Sequence, residues 1–68
     1  MQTYKIKDEF IKLGQALKAA GLAESGVDAK FAVQGGMVKV NGSVETQRGK
    51  KLIPGDVVEY GGRILKIE

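Results

Sequence analysis

The sequence predicts an α+β fold in which two adjacent short helices pack on a small, mostly antiparallel β-sheet. In the first half of the chain, apolar residues recur at the three- and four-residue spacing of amphipathic helices. From Met37 onward, short runs rich in valine and isoleucine alternate with glycine-containing turns, which is typical of hairpins. A chain of 68 residues is long enough for one domain, which we expect to span residues 1–68.

A short strand and then a helix are predicted at the N-terminus. Tyr4 and Ile6 alternate with lysines, as in a strand with one wet face. Asp8 is then a suitable N-cap, because its carboxylate can accept a hydrogen bond from the first turn of a helix. Gly21 is suited to end that helix in a left-handed conformation. The apolar stripe of this helix is expected to contain Phe10, Leu13, Leu17 and Ala20.

A second helix is predicted to begin at Ser25, directly after the short connection GLAE. The sequence SGVD resembles a capping box, with Asp28 in the position where glutamate is commoner. The glycine pair at 35–36 is expected to end the helix. So short a connection makes the two helices spatial neighbours. The apolar side of the second helix is expected to contain Val27, Phe31 and either Ala32 or Val33.

The rest of the chain is predicted to form strands. Asn41-Gly42 lies between apolar alternations, which favours a hairpin. A two-residue loop would place Val44 opposite Lys39, on the polar face. We therefore expect a three-residue loop or a bulge that pairs Val40 with Val44 and keeps both inside. Further strands are expected around residues 57–60 and 64–67, after turns at Pro54-Gly55-Asp56 and Gly61-Gly62.

The composition gives little support for catalysis or for a metal site. The chain contains no cysteine and no histidine, which are the usual zinc ligands, and histidine is also the usual general base near neutral pH. The eight carboxylates are scattered, and most lie beside predicted caps or turns. Neither of the common glycine-rich phosphate-binding motifs occurs. We therefore expect a non-enzymatic protein without a cofactor.

The location is predicted from the same composition. No apolar run approaches the roughly 20 residues that a membrane span requires, and the N-terminal segment MQTYKIKDEF lacks the apolar core of a signal peptide. A chain without cysteine also fits a reducing compartment. We expect a cytoplasmic, soluble protein that is a monomer by default.

The positive charges indicate an anionic partner. The net charge is +3, and three cations lie within the span 48–51, between two predicted turns. Three more are expected to project from the helices and from the first hairpin strand, away from the apolar residues. If the helices pack on the hairpin, all six could line one groove, where each phosphate contact would release condensed counterions. The alternative is that they are ordinary solvated lysines and arginines. The six are Lys12, Lys30, Lys39, Arg48, Lys50 and Lys51.

The aromatic residues give only weak support for RNA binding by base stacking. Base stacking on aromatic rings is a common part of RNA recognition. The four aromatic residues of the chain, however, fit core positions better than a stacking platform. They are Tyr4, Phe10, Phe31 and Tyr60.

The order of these parts resembles that of the S4 RNA-binding domain, also called the alpha-L motif. Two consecutive short helices are followed by V-x-V-N-G, then by a basic stretch and by PGDVV, over about residues 10–60. The chain is similar in particular to the small stand-alone bacterial members of this family. The resemblance implies an RNA-binding protein that contacts structured RNA, of the ribosomal or transfer class, through a basic face formed by the helix pair and the following hairpin.

The resemblance also implies which residues contact RNA. The family's Arg-Leu-Asp at the start of the first helix is Lys12-Leu13-Gly14 here, and its Ser-Arg at the start of the second helix is Ser25-Gly26. The Ala-Lys one turn later is present as Ala29-Lys30. Gln34 stands where the family often has a basic residue. The implied RNA-binding residues are Lys12, Ser25, Lys30, Gln34, Lys39, Asn41, Arg48, Lys50 and Lys51.

Two other functions remain open. The same basic face could bind an acidic protein, as in an interaction adaptor. The valine-rich strand, the Asn-Gly turn and the later Gly-Gly are also features of β-grasp sulfur carriers. Carriers need that Gly-Gly at the C-terminus, whereas Gly61-Gly62 is followed here by RILKIE. The sulfur carrier is therefore the least favoured of the three functions.

Overall fold

Two helices pack on a mostly antiparallel sheet in the computed structural model, which describes residues 1–68. The predicted fold class is confirmed. The helices are α1 (Leu13–Ala19) and α2 (Gly26–Gln34). The strands are β1 (Gln2–Tyr4), β2 (Ile11–Lys12), β3 (Val38–Val40), β4 (Ser43–Val44), β5 (Lys51–Leu52), β6 (Val57–Tyr60) and β7 (Arg63–Ile67).

The strands form two separate sheets. Five of them make a sheet with the order β1-β7-β6-β3-β4, in which only the pairing of β1 with β7 is parallel. The other two, β2 and β5, pair in antiparallel fashion, and we call this two-stranded unit the ribbon. The ribbon brings the segment before α1 against the segment after the hairpin, so two regions distant in the sequence become neighbours.

One apolar core joins these elements. It consists of 14 buried residues, all of them apolar, from both helices and from strands of both sheets. Leu13 and Leu17 of α1, Leu52 of the ribbon and Leu65 of β7 have no exposed surface. Leu52 therefore anchors the ribbon to the core. A chain of this length buries only about 60% of its unfolded surface. Each of these side chains therefore contributes a large part of the free energy of unfolding.

Helix α1 begins later than predicted. Asp8 does not cap it; the N-cap is Lys12, whose backbone is extended and whose side chain makes no capping hydrogen bond. Lys12 itself belongs to β2, so its predicted position on the first helix is also wrong. Phe10 lies outside the helix, and 36% of its surface is exposed. The predicted apolar stripe is correct only from Leu13 onward.

The physical reason for this late start is a contact with a distant loop. The backbone N–H of Leu13 donates to the carbonyl of Lys50 at 2.8 Å, and that of Gly14 donates to the carbonyl of Arg48 at 2.9 Å. The first donors of a helix have no partner within the helix itself. Here the loop after the hairpin supplies the acceptors in place of a capping side chain.

Helix α2 begins as predicted, but its buried face differs. The Ser25 hydroxyl oxygen accepts a hydrogen bond from the backbone N–H of Asp28 at 3.2 Å, which confirms the cap. The predicted apolar side is wrong for Val27 and Phe31, which are 61% and 67% exposed. The helix instead buries small side chains, which allow close approach to α1. The buried residues are Ala29, Ala32 and Val33.

Both helices end at the predicted glycines. Gly21 and Gly36 have φ angles of +78° and +75°, in the left-handed region that glycine adopts without a steric cost. After Gly21, the buried Leu22 folds back, and its N–H donates to the carbonyl of Leu17 at 2.9 Å. Neither helix has the length and apolar character needed to cross a membrane.

The hairpin between β3 and β4 has a two-residue loop, so the prediction of a longer loop or a bulge is wrong. Val40 pairs with Ser43, and Lys39 pairs with Val44. Val44 therefore lies on the outer face of the sheet and is 55% exposed. The register places an apolar side chain in solvent, which shows that the turn, and not the apolar pattern, determines this pairing.

The turn is fixed by the residue at its first position. Asn41 has a φ angle of +52°, and the following Gly42 has +85°, as a type I′ turn requires. The Asn41 side-chain oxygen accepts a hydrogen bond from the N–H of Val57 at 2.9 Å. Its amide nitrogen donates to the Asp56 carboxylate at 3.0 Å. These two bonds attach the hairpin tip to the start of β6. At the other end of β6, Gly61-Gly62 forms the predicted turn into β7.

Candidate nucleic-acid interface

A groove of about 400 Å³ is formed by the ribbon, one flank of α1, the start of α2 and the loop before β5. Three of its seven lining residues are cations, three are glycines, and none is acidic. A concave surface lined with charge of one sign raises the local concentration of the opposite charge. We call this surface the basic groove. Its lining residues are Lys12, Gly14, Gln15, Lys18, Gly26, Arg48 and Gly49.

Close packing against α1 positions Arg48 in this groove. A Cβ atom added to Gly14 would lie 3.4 Å from the Arg48 Cβ atom and 3.6 Å from the Arg48 carbonyl oxygen. A methyl group there would be in ordinary van der Waals contact with Arg48, which shows how closely the loop packs against α1. The loop that carries the guanidinium therefore lies directly against the first turn of α1, where the N–H of Gly14 donates to the carbonyl of Arg48.

The ribbon adds a pair of like charges. Lys12 and Lys51 are directly opposite each other in the pairing of β2 with β5, and both side chains are exposed. Like charges at directly opposed positions destabilise an antiparallel pair. The Lys51 ammonium also lies 4.8 Å from the centroid of the Phe10 ring, a cation–π contact. A bound anion between the two lysines would offset their repulsion.

Helix α2 extends the positive surface along one flank. Gly26 lines the basic groove, and Lys30 and Gln34 follow it at successive intervals of four residues, so the three share one side of the helix. Both side chains are exposed. Ser25, at the N-cap, is half-buried, and its hydroxyl already accepts the N–H of Asp28.

Two of the predicted RNA-binding residues lie elsewhere. Lys39 faces Glu59 across the pairing of β3 with β6, and the two line a separate groove. The Asn41 side chain is engaged with Asp56 and with the backbone of Val57. The single groove expected from the sequence therefore does not include Lys39, and Asn41 has a clear structural role. Their contact with RNA stays a prediction.

Two polar residues of the basic groove, Gln15 and Lys18, were not predicted from the sequence. The available signal was their spacing, since residues three apart on a helix share a flank. Of the predicted residues, the structure places Lys12 and Arg48 in the groove. It places Lys51 opposite Lys12 in the ribbon and Lys50 in the adjoining loop, exposed. No group of three or more acidic, histidine or cysteine side chains is placed to hold a metal ion.

Comparison with known proteins gives a consistent result over nearly the whole chain. The sequence model of the S4 domain family matches residues 4–68. YbcJ of Escherichia coli, a candidate RNA-binding protein by its name, is 37% identical over 68 residues, which is 98% of this chain and 97% of YbcJ. RlbA of Bacillus subtilis, named as a candidate ribosome maturation protein, is 46% identical over 57 residues, which is 84% of this chain and 80% of RlbA.

The fold also matches a solved structure. The solution structure of E. coli YbcJ superimposes on this chain with a TM-score of 0.75, at 37% sequence identity. The superposition covers 98% of this chain and 86% of the YbcJ chain. That structure is described as revealing an alpha-L motif involved in RNA binding. The match therefore includes the helix pair and the hairpin on which the predicted site depends.

Proposed function

The chain belongs to the S4 domain family, and we propose that residues 1–68 form a single non-enzymatic domain that binds structured RNA. The observation that carries this proposal is the basic groove, in which Lys12, Lys18 and Arg48 converge with no acidic residue between them. The names of similar proteins support it, since YbcJ is named for RNA binding and RlbA for ribosome maturation.

In this proposal, phosphates of the RNA backbone lie in the basic groove. Each neutralised phosphate releases condensed counterions, which supplies most of the affinity. Lys12 and Lys18 act as point charges, whereas the planar guanidinium of Arg48 can hold one phosphate through two parallel hydrogen bonds. The glycines at positions 26 and 49 leave room for the sugar–phosphate chain. Outside the groove, Lys51, Lys50 and Lys30 engage neighbouring phosphates.

The RNA in this proposal is folded and of the ribosomal or transfer class. The cations of the basic groove come from two segments that are distant in the sequence, so they match phosphates that converge in a folded RNA. RlbA's name favours ribosomal RNA over transfer RNA. A ribosomal RNA ligand in a bacterium implies a cytoplasmic location, which also fits the absence of cysteine.

Removing two charges from the groove tests the proposal. The variant Lys12→Gln with Arg48→Gln should bind a folded ribosomal RNA fragment more weakly, whatever its sequence. The plot of log affinity against log salt has a negative slope, and its magnitude should decrease by roughly 1.4–1.8, because each lost phosphate contact removes about 0.7–0.9. The measurement is a titration of labelled RNA at three or more salt concentrations.

The matched control removes two charges from outside the basic groove. Lys5→Gln with Lys66→Gln gives the same net charge, and both side chains are exposed. This variant should keep nearly the full affinity and the full salt slope. Equal losses in the two variants would mean that binding follows net charge and not the basic groove, and would remove the basis of the proposal.

Binding of an acidic protein by the same face is the competing explanation. A tagged chain should recover RNA from a bacterial extract, and partners held through that RNA should be lost after ribonuclease treatment. A direct acidic protein partner would remain after ribonuclease treatment and would be lost from the Lys12→Gln, Arg48→Gln variant.

A further inference from the structure

A second groove, of about 450 Å³ and mostly apolar, adjoins the basic groove. Gln15 and Lys18 of α1 line both, so the two surfaces are continuous. We call the second one the apolar groove. Its volume lies within the roughly 300–1,000 Å³ of small-ligand sites. Its apolar walls are formed by Tyr4, Ile6, Phe10 and Ile11, with Ala19.

We propose that the apolar groove binds one unpaired base of the RNA whose backbone lies in the basic groove. The inference rests on the proposed function and identifies the part of the RNA that this site recognises. A nucleotide whose phosphate contacts Lys18 has its base next to the apolar groove, because Lys18 stands on the boundary of the two. Sequence-specific recognition of RNA uses unpaired bases of this kind, since they can leave the stack.

Phe10 provides the stacking surface. Sequence reasoning placed this ring in the core, but 36% of Phe10 is exposed, and it lines the apolar groove. The Lys51 ammonium lies over the ring, 4.8 Å from its centroid. Bases stack on aromatic rings, and a cation over the ring also attracts the nearby phosphates. The base therefore completes a stack of lysine, phenylalanine and nucleobase that links the apolar groove to the ribbon.

Asp8 gives this site a preference among bases. Asp8 lines the apolar groove and does not cap α1. A carboxylate repels phosphate and accepts hydrogen bonds, so it suits a base edge that offers N–H donors. Guanine is the base with two adjacent N–H donors on its Watson–Crick edge, one for each carboxylate oxygen. We therefore expect guanine to bind best.

Nuclear magnetic resonance of the aromatic side chains tests the proposal directly. The chain has two tyrosines and two phenylalanines, and one of each lines the apolar groove. GMP should shift the ring protons of Tyr4 and Phe10 upfield, through the ring current of the stacked base. Tyr60 and Phe31, which line a different groove, serve as internal controls and should not shift. AMP, CMP and UMP should need higher concentrations, and ribose 5-phosphate should move only resonances of the basic groove.

The outcomes separate the two proposals. If ribose 5-phosphate perturbs the basic groove while GMP leaves Tyr4 and Phe10 unmoved, the base site is wrong and the phosphate site stands. If GMP shifts all four rings alike, binding in the apolar groove is not specific, and the inference is overturned. An Asp8→Asn variant should lose the preference for GMP over AMP, and an unchanged preference contradicts the role of Asp8.

A matched pair of variants extends the test to RNA. Phe10→Ala should bind a stem-loop with one bulged guanine about 5- to 150-fold more weakly, as expected for the loss of one base–aromatic stack. Phe31→Ala removes an equally large and more exposed ring from another surface, and should bind normally. With an abasic residue in place of the guanine, Phe10→Ala and the unmodified chain should bind alike. Equal binding of the guanine stem-loop by both variants overturns the inference, and failure of the unmodified chain to bind either RNA overturns the proposed function as well.

Discussion

The ribbon and the five-stranded sheet arrange their charges in opposite ways. In the sheet, Lys39 of β3 lies directly opposite Glu59 of β6, so residues of unlike charge are cross-strand neighbours. In the ribbon, Lys12 of β2 lies directly opposite Lys51 of β5. Unlike cross-strand pairs stabilise an antiparallel pairing, and like pairs destabilise it by a similar amount. The Lys39–Glu59 pair therefore favours the stability of the sheet, whereas the Lys12–Lys51 pair does not favour that of the ribbon.

This difference indicates that different sides of the ribbon serve folding and binding. The ribbon does not depend on its surface charges, because Leu52 on its inner side is fully buried and α1 donates backbone hydrogen bonds to the adjoining loop. Its exposed side can therefore concentrate positive charge that weakens the isolated protein. An anionic ligand would remove this repulsion, so the unfavourable pair is itself an indication of the binding surface.

The largest effect on stability is expected when the side chain that anchors the ribbon to the core is truncated. Leu52→Ala should lower the free energy of unfolding by about 2–5 kcal/mol, because the lost side chain leaves a cavity in a small core. Urea denaturation measures this change. Ile53→Ala, at the next position, removes a side chain that is 55% exposed and should change stability by no more than about 0.5 kcal/mol. Similar losses in both variants would mean that the ribbon is not held through Leu52.

A smaller effect is expected at the hairpin tip. Asn41→Ala removes two side-chain hydrogen bonds and leaves a residue with a Cβ atom at a positive φ angle, so stability should fall by about 1–3 kcal/mol. Asn41→Gly also removes the two hydrogen bonds but avoids the strain of a Cβ atom at a positive φ angle. Its stability should therefore lie between that of Asn41→Ala and that of the unmodified chain. If Asn41 acts only in the turn, the folded variants should bind RNA normally. Lost RNA affinity with unchanged stability would instead support the predicted RNA contact of Asn41.

The features that were predictable from the sequence depend on local chemistry. The cap at Ser25, the helix ends at Gly21 and Gly36 and the turn at Gly61-Gly62 each rest on a few neighbouring residues. The fold class follows from these signals because they separate a helical half from a strand-rich half. The membership of Lys12 and Arg48 in one basic surface was also predictable, since the resemblance to a family supplied the long-range arrangement.

The features that were not predictable depend on distant partners. Asp8 is a reasonable cap, yet α1 begins at Leu13 because carbonyls of the loop at 48–50 accept its first N–H groups. Val27 and Phe31 have the spacing of an apolar helix face. However, α2 packs on α1 through a different face, whose small side chains include Ala29 and Ala32. The apolar groove was missed for the same reason: only the ribbon pairing shows that Phe10 lies outside the core.

The smallest expected effects provide the sharpest test of the comparison, because they differ in sign. Lys12→Glu creates an unlike pair with Lys51 and places a carboxylate at the N-terminus of α1, so it should raise the free energy of unfolding by about 0.2–1 kcal/mol. Lys39→Glu creates a like pair with Glu59 and should lower it by a similar amount. Both variants have the same net charge, and both can be measured by urea denaturation at low salt.

Salt distinguishes this explanation from a change in packing. In about 1 M salt the Debye length is roughly 3 Å, so both differences should largely disappear if they come from exposed charges. Lys12→Gln should lie between Lys12→Glu and the unmodified chain, because it removes the repulsion without adding an attraction. The stabilised Lys12→Glu variant should also bind RNA more weakly than the unmodified chain. If Lys12→Glu lowers the free energy of unfolding at low salt, repulsion between the two lysines does not destabilise the ribbon. The difference in charge between ribbon and sheet would then have no effect on stability.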